Sequence, residues 1–322
     1  MNNTQKSGYL AQTPHISRVI NPRNGHRRRM TANFFMMGLS LLLTLIALVP
    51  LFWIIGYVFV KGSQFITLSF FTQLPKPLGI PGGGVLHAIE GTLLLTILAA
   101  LFSIPIGLLV AFYTAYNPDT PLGTAVRFGT DVLAGVPSII IGIFCYALIV
   151  KPQGHYSSLA GGVALAILML PTIIRTTEEM IRLVPQSMRE ASLALGAPEW
   201  KTTLKVMFPA ALSGIVTGFL LALARATGET APLLFTALGN DRLEIGRMVQ
   251  SGAQNGQSIL TIIYNILQQP VDSLPLTLYK YTQQPFPERV AQSWAIALVL
   301  MSFVLLTNLL ARVYVNHRTT HK

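Results

Sequence analysis

Two charged residues, Arg225 and Glu229, interrupt an apolar stretch of the sequence, LLALARATGETAPLLFTALG. A charged side chain near the centre of a bilayer costs at least about 2.5–3.5 kcal/mol, so it must face protein or water. The i, i+4 spacing places both side chains on one face of a helix, where they can pair. Two interpretations stay open at this point: a structural ion pair within one helix, or part of a path for an anion.

A second charged group lies in the segment MLPTIIRTTEEMIRLVP, which contains Arg175, Glu178 and Glu179. Arg175 and Glu179 are again four residues apart, which predicts a second arginine–glutamate pair. Guanidinium groups bind tetrahedral oxyanions with two parallel hydrogen bonds, and carboxylates can hold the arginines while no anion is present. Two such groups facing one interior would form a switchable anion path. The alternative for Arg175 is that it extends to the membrane surface from the end of its span.

The composition indicates lipid as the main solvent of the elements that carry these residues. Hydrophobic residues make up 52% of the 322 residues and charged residues 11%, whereas a soluble domain carries about 25% charged residues. Much of the net charge of +11 comes from arginines and lysines near the two ends of the chain. Beside membrane-length segments such clusters set topology, so we expect no nucleic-acid partner. The single cysteine, Cys145, excludes an internal disulfide.

Six apolar segments approach or exceed the roughly 20 residues that cross a bilayer core. These candidate spans are residues 34–60, 88–116, 132–150, 159–183, 210–237 and 294–315. The pattern predicts an all-α integral membrane protein with six transmembrane helices. Pro137, inside the third span, predicts either a kink or backbone groups freed to line a cavity. The apolar run at 259–267 is too short to span.

The same pattern divides the chain. Residues 1–33 are basic and polar, and we expect a disordered cytoplasmic tail there; the transmembrane domain is 34–316, and residues 317–322 form a second cytoplasmic tail. The positive-inside rule places both termini in the cytoplasm. With six spans, the loop at 239–293 lies outside, and its prolines and glutamines favour a folded extracytoplasmic lobe.

A short helix–turn–helix is predicted at 185–209, between the fourth and fifth spans. Pro185 suits the first position of a helix, Gly196 suits a left-handed stop, and Pro198 can begin a second short helix. The product is an amphipathic knuckle on the cytoplasmic face, suited to docking into a groove. We call residues 185–209 the knuckle below.

The knuckle resembles the EAA loop of the membrane subunits of ABC importers. Glu190-Ala191-Ser192 is followed by three residues, Gly196, nine residues and Val206-Met207-Phe208-Pro209. Ser192, Val206 and Phe208 are mild departures from the family pattern. The resemblance implies the type I (MetI-like) permease fold and a loop that seats in a separate ATPase through Glu190, Ala191, Gly196 and Pro209. The alternative is an ordinary amphipathic cytoplasmic loop.

Residues 84–315 also resemble phosphate-transport permeases of the PstA type, through RATGETAPLLFTA, PTIIRTTEEMIRLVP and GVPSIIIG. That resemblance implies a bacterial inner-membrane protein in which Arg225, Glu229, Arg175 and, less directly, Glu178 line the phosphate pathway. It implies as partners membrane lipid, a second permease of the PstC type, two ATP-binding subunits of the PstB type and an extracytoplasmic phosphate-binding protein of the PstS type. The alternatives are another oxyanion, such as sulfate or molybdate, or the other permease half.

We expect no cofactor on this chain, and ATP and Mg²⁺ to be used by the partner ATPase, because no GxxxxGK[ST] sequence occurs in it. We expect no metal site, because the six histidines are scattered and the cysteine lies in an apolar run. A secondary transporter or channel would leave the EAA-like loop unexplained. A membrane-bound enzyme lacks support, because the sequence shows no nucleophile, base and orienting group at one depth.

Overall fold

The computed structural model describes residues 22–77, 79–80 and 82–319. Within them the regular structure is helical, apart from an isolated bridge between Pro75 and Gly83. The helices are α1 Pro22–Gly62, α2 Leu68–Thr72, α3 Leu86–Tyr116, α4 Pro121–Gly135, α5 Ser138–Cys145, α6 Lys151–Gln153, α7 Ser158–Arg182, α8 Gln186–Ala194, α9 Glu199–Thr202, α10 Phe208–Thr227, α11 Ala231–Thr236, α12 Ile245–Gln254, α13 Ile259–Gln268, α14 Leu274–Thr282 and α15 Pro287–Thr319. A 3-10 turn follows α1 at Ser63–Phe65, and π-helical turns occupy Tyr146–Val150 and Thr203–Met207.

The chain forms two compact units, Met1–Gly56 and Tyr57–Lys322. In the first unit α1 begins at Pro22, so the expectation of a disordered tail over 1–33 is wrong for residues 22–33. Proline suits the first turn of a helix, and the arginines at 27–29 have high helix propensity, which explains the early start. Residues 1–21 lie outside the described residues. At the other end α15 continues to Thr319, so residues 317–319 of the expected tail are helical, and 320–322 are not described.

Five helices of the described chain are long and apolar enough to cross a membrane, and the count is six if one bent helix pair is taken as a single span. The pair is Pro121–Gly135 and Ser138–Gln153, whose axes differ by 103°. With the pair taken as one span, the count agrees with the predicted six, but the predicted third span is not one continuous, kinked helix. Pro137 restricts the preceding residue to extended conformations, and Val136 and Pro137 both have extended ψ values, of 129° and 136°.

The predicted fifth span, 210–237, is also interrupted. Helix α10 ends at Thr227, and α11 begins at Ala231 with Pro232 in its first turn. Proline in a helix interior would remove a hydrogen bond and clash with the preceding turn, so the break falls before it. Gly228 and Glu229 therefore lie outside the helix that carries Arg225.

Helices α3, α7 and α10 form the centre of the second unit. Helices α3 and α7 run parallel, because Ser103 donates to Met169 Sδ at 3.8 Å and Thr114 donates to Glu178 at 2.9 Å, at sequence offsets of 66 and 64. Helix α10 runs antiparallel to α7, since a Cβ on Gly218 would lie 2.1 Å from Thr176 Oγ1 and one on Gly214 would lie 2.1 Å from Met180 Sδ. Glycine thus permits a close approach of α10 to α7.

Residues 239–293, which we call the loop lobe, contain α12, α13, α14 and the first turns of α15. Helix α15 begins at Pro287, earlier than the predicted start of the last span at 294. The Glu90 carboxylate of α3 accepts hydrogen bonds from the backbone N–H groups of Ile245 at 2.6 Å and Gly246 at 3.3 Å, at the start of α12. A carboxylate at a helix N-terminus satisfies free N–H groups and complements the helix dipole. The Thr92 hydroxyl accepts from the N–H of Leu274 at 2.8 Å. The lobe is therefore joined to α3 by polar contacts at the starts of α12 and α14.

Candidate functional site

Arg225 lies in the last turn of α10, and Glu229 lies just beyond the helix end. Arg225 Nε is 3.8 Å from Glu229 Oε1, a contact longer than a hydrogen bond. The Arg225 side chain is 54% exposed in the isolated chain and Glu229 is 19% exposed. The two residues pair as the sequence predicts, but the loose contact leaves most of the guanidinium donors free to bind another acceptor.

Arg175 pairs with Asp131 of α4, so the predicted pair with Glu179 is wrong. Nε of Arg175 donates to Asp131 Oδ1 at 2.9 Å, and Nη2 donates to the same oxygen. The Arg175 side chain is also 54% exposed, and Asp131 is 48% exposed. Spacing within one helix misses Asp131 because the acceptor lies on another helix, 44 residues earlier. The finding adds Asp131 to the candidate site.

Glu178 is the most constrained of the predicted pathway residues. Its carboxylate accepts hydrogen bonds from the Thr114 hydroxyl at 2.9 Å and from Arg127 Nε at 2.7 Å, and Arg182 Nη2 lies 2.8 Å away. Arg127 also donates to the Pro118 carbonyl at 2.9 Å. The side chain of Glu178 is 11% exposed. Glu178 therefore joins α3, α4 and α7, a role that sequence spacing did not indicate.

The helix register fixes the spacing of the two candidate arginines. Gly218 lies opposite Thr176 and Gly214 lies opposite Met180. Extending this antiparallel register places Arg225 level with the residue at position 169, six residues from Arg175 along α7. At 1.5 Å per residue, the two arginines are about 9 Å apart along the helix axes.

The knuckle has the geometry of a helix stopped by glycine. Gly196 has φ of +81°, in the left-handed region. Its N–H donates to the Leu193 carbonyl at 2.9 Å, and the N–H of Ala197 donates to the Ser192 carbonyl at 3.2 Å. These two bonds form a Schellman motif, which satisfies carbonyls at the end of α8. Pro198 then precedes α9 as predicted.

Side-chain contacts hold the two arms of the knuckle together. Arg189 Nη2 donates to Glu199 Oε1 at 3.1 Å, and the hydroxyls of Ser192 and Thr202 are 2.9 Å apart. The Arg189 guanidinium also lies over the ring of Tyr116 at the end of α3, 5.1 Å from its centroid. The knuckle is thus tied to α3, the helix whose Thr114 donates to Glu178.

The knuckle carries exposed, large apolar side chains. Leu195 is 89% exposed and Trp200 is 65% exposed, and Leu204 is exposed beside them. Glu190, Ala191, Gly196 and Pro209, the residues assigned to coupling by resemblance, are all exposed. An exposed tryptophan flanked by leucines is typical of a surface that binds a partner protein.

A second charged cluster connects α3 to the loop lobe. Ligand atoms of His87, Asp241 and Asp272 lie within 4.8 Å of one another. Sequence reasoning considered histidine and cysteine and missed this group, because its members are far apart in the chain. The Lys280 ammonium, however, donates to Asp241 at 3.0 Å and also to Asp272. A lysine already supplies the positive charge that these carboxylates require, so the group is an ion-pair network that fastens the lobe.

The lobe network shifts the pKa values of its members. Burial raises the pKa of Asp272 to about 6, and the attraction of Lys280 opposes that rise. Burial lowers the pKa of Lys280, but Asp272 and Asp241 outweigh that effect, and the net shift is upward. Burial raises the pKa of Asp241, but Lys280 and a hydrogen bond with Asp272 outweigh that effect, and the net shift is downward. The Asp272–Lys280 contact is the one whose charge state changes near neutral pH.

The sequence was compared with protein families and with known proteins. Residues 103–319 match the family of binding-protein-dependent transport system inner membrane components. The chain is 39% identical to the phosphate transport system permease protein PstA of Yersinia pestis, over 88% of this chain and 90% of that protein. It is 38% identical to the protein of the same name from Haemophilus influenzae, over 90% and 96% of the two chains. PstA 1 of Mycobacterium tuberculosis is 35% identical, over 92% and 90%.

Solved structures agree on the fold. The chain is similar to an inward-facing MetNI methionine ABC transporter, with a TM-score of 0.53 and 20% identity over 72% of this chain and 95% of that one. It is also similar to a bacterial ABC transporter involved in the import of the acidic polysaccharide alginate, with a TM-score of 0.55 and 14% identity over 88% and 97%. These solved structures show the fold. The family model and the sequence relatives show that the chain belongs to the PstA family of phosphate transport system permeases, within the binding-protein-dependent inner membrane components.

Proposed function

We propose that this chain forms one half of the path by which inorganic phosphate crosses the membrane, in an importer driven by separate ATPase subunits. Membership of the family makes the chain a multi-pass inner-membrane transporter component and not an enzyme. The names of the relatives support phosphate as cargo, and the charged groups on α7 and α10 support an oxyanion more generally.

The observation that carries the proposal is the pair of half-exposed arginines, Arg175 and Arg225, on two packed helices. Each guanidinium contacts a carboxylate that a phosphate oxygen can replace, and the fork of N–H donors matches a tetrahedral oxyanion. The two arginines are about 9 Å apart along the helix axes. At that separation an anion can bind first to one arginine and then to the other, without a shift of either helix. Glu178, held by three donors, keeps the helices that carry this path in register.

The knuckle supplies the coupling surface in this proposal. The knuckle and both termini face the cytoplasm in this proposal. The basic residues Arg182, Arg189, Lys201 and Lys205 in and beside the knuckle support that orientation through the positive-inside rule. Leu195 and Trp200 insert into a groove of a PstB-type ATPase, and Gly196 sets the angle between the two arms. One chain has one knuckle, so two ATPase subunits require a second, PstC-type permease. A PstS-type binding protein delivers phosphate from outside.

The direct test is phosphate uptake, normalised to membrane-inserted protein, in variants of Arg225. Arg225→Gln should nearly abolish uptake, because glutamine keeps polarity but loses the charge and the fork. Arg225→Lys should also fail substantially, because a point charge does not reproduce two parallel donors. Glu229→Gln should be the milder lesion, since it removes the resting partner and leaves the phosphate ligand.

A purely structural ion pair gives a different order of effects. Either single change then leaves one unpaired charge in the span, and the abundance of both variants falls. Full normalised uptake by Arg225→Gln would remove Arg225 from the path. Uptake of sulfate or molybdate, with no uptake of phosphate, would reassign the cargo.

A further inference from the structure

A cavity of about 220 Å³ lies between α4 and α7, beside Arg175. Its ionisable lining consists of Arg127, Arg175, Arg182, Asp131, Glu178 and Glu179. Three arginines and three carboxylates give a formal charge of zero. An oxyanion that enters this cavity therefore finds no uncompensated positive charge unless a carboxylate first releases an arginine.

The ion pairs between α4 and α7 form two rungs of opposite polarity. In one rung Arg127 of α4 donates to Glu178 of α7, and in the other Arg175 of α7 donates to Asp131 of α4. On α4 the two rungs are one helical turn apart, because Arg127 and Asp131 are separated by four residues. Each helix thus supplies one arginine and one carboxylate to the two ion pairs that hold α4 and α7 together.

The two rungs differ in how firmly they are held. The carboxylate of Glu178 is 11% exposed and is also bound by Thr114 and Arg182. The side chain of Asp131 is 48% exposed and lines the cavity. Water can solvate a released Asp131, whereas a released Glu178 would leave buried donors unsatisfied. Asp131 is therefore the carboxylate that can leave its arginine at low cost.

We propose that Asp131 is the exchangeable counter-ion of Arg175: it holds the guanidinium while the path is empty and yields it to phosphate oxygens during passage. This inference rests on the proposed function and extends it to a positioning residue on α4. The Arg127–Glu178 rung keeps α4 and α7 in register while the Asp131–Arg175 rung opens. Recapture of Arg175 by Asp131 then displaces the anion, which promotes release.

Asp131 lies four residues before the end of α4, and the 103° bend to the next helix follows. The exchange takes place through solvent-exposed side chains and requires no change in this bend. Its energetic weight is that of an exposed ion pair, which is small enough to be reversed in each transport cycle.

The test uses the complete transporter in lipid nanodiscs, without the extracytoplasmic binding protein, and measures equilibrium binding of radiolabelled phosphate. Asp131→Asn removes the competing charge and keeps the shape of the side chain. We expect phosphate to bind about two- to fivefold more tightly, the range that an exposed ion pair contributes. The maximal uptake rate in the presence of the binding protein should fall, because release is slowed. Asp131→Glu should restore wild-type release, since it keeps the carboxylate.

Asp119→Asn is the matched control. Asp119 is an exposed aspartate just before α4, and its substitution removes the same charge as Asp131→Asn does. Its phosphate affinity should equal that of the wild type. Unchanged or weaker phosphate binding by inserted Asp131→Asn would overturn the exchange, even if the wild type transports phosphate and Arg225→Gln does not. Failure of the wild-type transporter to take up phosphate would instead overturn the proposed function.

Discussion

Arg127 and Glu178 form the more buried of the two ion pairs between α4 and α7, with Arg127 Nε donating to Glu178 Oε1 at 2.7 Å. Thr114 brings α3 into the same contact, and Arg182 brings in the residues just before the knuckle. The link therefore lies between the candidate anion path and the coupling surface. A carboxylate in this position fixes the helices that hold Arg175.

The structural role of Glu178 predicts a loss of stability when its charge is removed. Glu178→Gln keeps the volume but leaves Arg127 and Arg182 without a carboxylate, at a cost of roughly 1–3 kcal/mol. The thermal unfolding midpoint of the purified transporter should fall. Phosphate uptake per inserted molecule should fall less than in Arg225→Gln.

Glu179→Gln is the control for this change, because Glu179 is the next residue of α7 and is exposed. Its unfolding midpoint should stay close to that of the wild type. A Glu178→Gln variant with normal stability and abolished uptake would contradict the structural role and return Glu178 to the pathway, as the sequence resemblance implied.

The knuckle predicts a separation of transport from folding. Gly196 has φ of +81°, and a Cβ there would meet no atom within 4 Å, so Gly196→Ala introduces backbone strain alone. That strain is roughly 1–2 kcal/mol, and its relief reorients α9 relative to α8. We expect phosphate uptake and co-purification of the ATPase to fall while membrane insertion persists.

Gly154 offers a matched comparison for Gly196. It has φ of +75°, and a Cβ there would also meet no atom within 4 Å, but it lies in the turn before α7. Gly154→Ala should carry the same strain and retain ATPase co-purification. Equal losses of co-purification in the two variants would show that strain itself, and not the knuckle, is responsible.

The knuckle could be predicted from the sequence because its turn is encoded locally, by Gly196 and Pro198. The ends of α10 and α4 are also marked locally, by Gly228, Pro232 and Pro137. The length of the apolar segments nevertheless favoured continuous spans in the prediction. A hydropathy pattern shows the length of the apolar segment. It does not show whether the helix is broken inside that segment.

The ionic contacts between helices could not be predicted in the same way. Arg175 was assigned Glu179 because the only neighbours visible in a sequence are those on the same helix. Asp131 becomes its partner through the packing of α4 on α7, and Asp272 reaches Lys280 and His87 through the fold of the loop lobe. The candidate arginines were therefore predictable, whereas the carboxylates that control them required the structure.

The close approach of the loop lobe to α3 predicts that Gly91 tolerates no side chain. A Cβ at Gly91 would lie 1.9 Å from the Asp272 carbonyl oxygen, and the backbone there cannot give way as a flexible side chain would. Gly91→Ala should move the lobe off α3 and increase cleavage of residues 239–293 by an added protease. Gly129→Ala in α4, where a Cβ would meet no atom within 4 Å, should leave the cleavage pattern unchanged. Identical protease patterns for Gly91→Ala and wild type would show that the lobe does not depend on this approach.

The lobe network predicts a pH-dependent stability. Burial raises the pKa of Asp272 from 3.8 to about 6, so the folded protein binds this proton more tightly than the unfolded chain. The resulting stabilisation is complete below pH 3.8 and is lost as the pH rises through about 6. Above that pH, the ionised Asp272 relies on the Lys280 ammonium for its compensation.

Removal of that ammonium should therefore do more damage at high pH than at low pH. In Lys280→Met the pKa of Asp272 rises further, since the charge that lowers it is gone. At about pH 5 the buried carboxyl is protonated, and the variant should unfold close to the wild-type temperature. At about pH 8 it is ionised and unpaired, which costs up to about 3 kcal/mol. Thermal unfolding of the purified transporter at both pH values measures the difference, and Lys151→Met removes an exposed lysine of α6 as the control. An equal loss of stability at the two pH values would mean that Lys280 stabilises the lobe by packing and not by compensating Asp272.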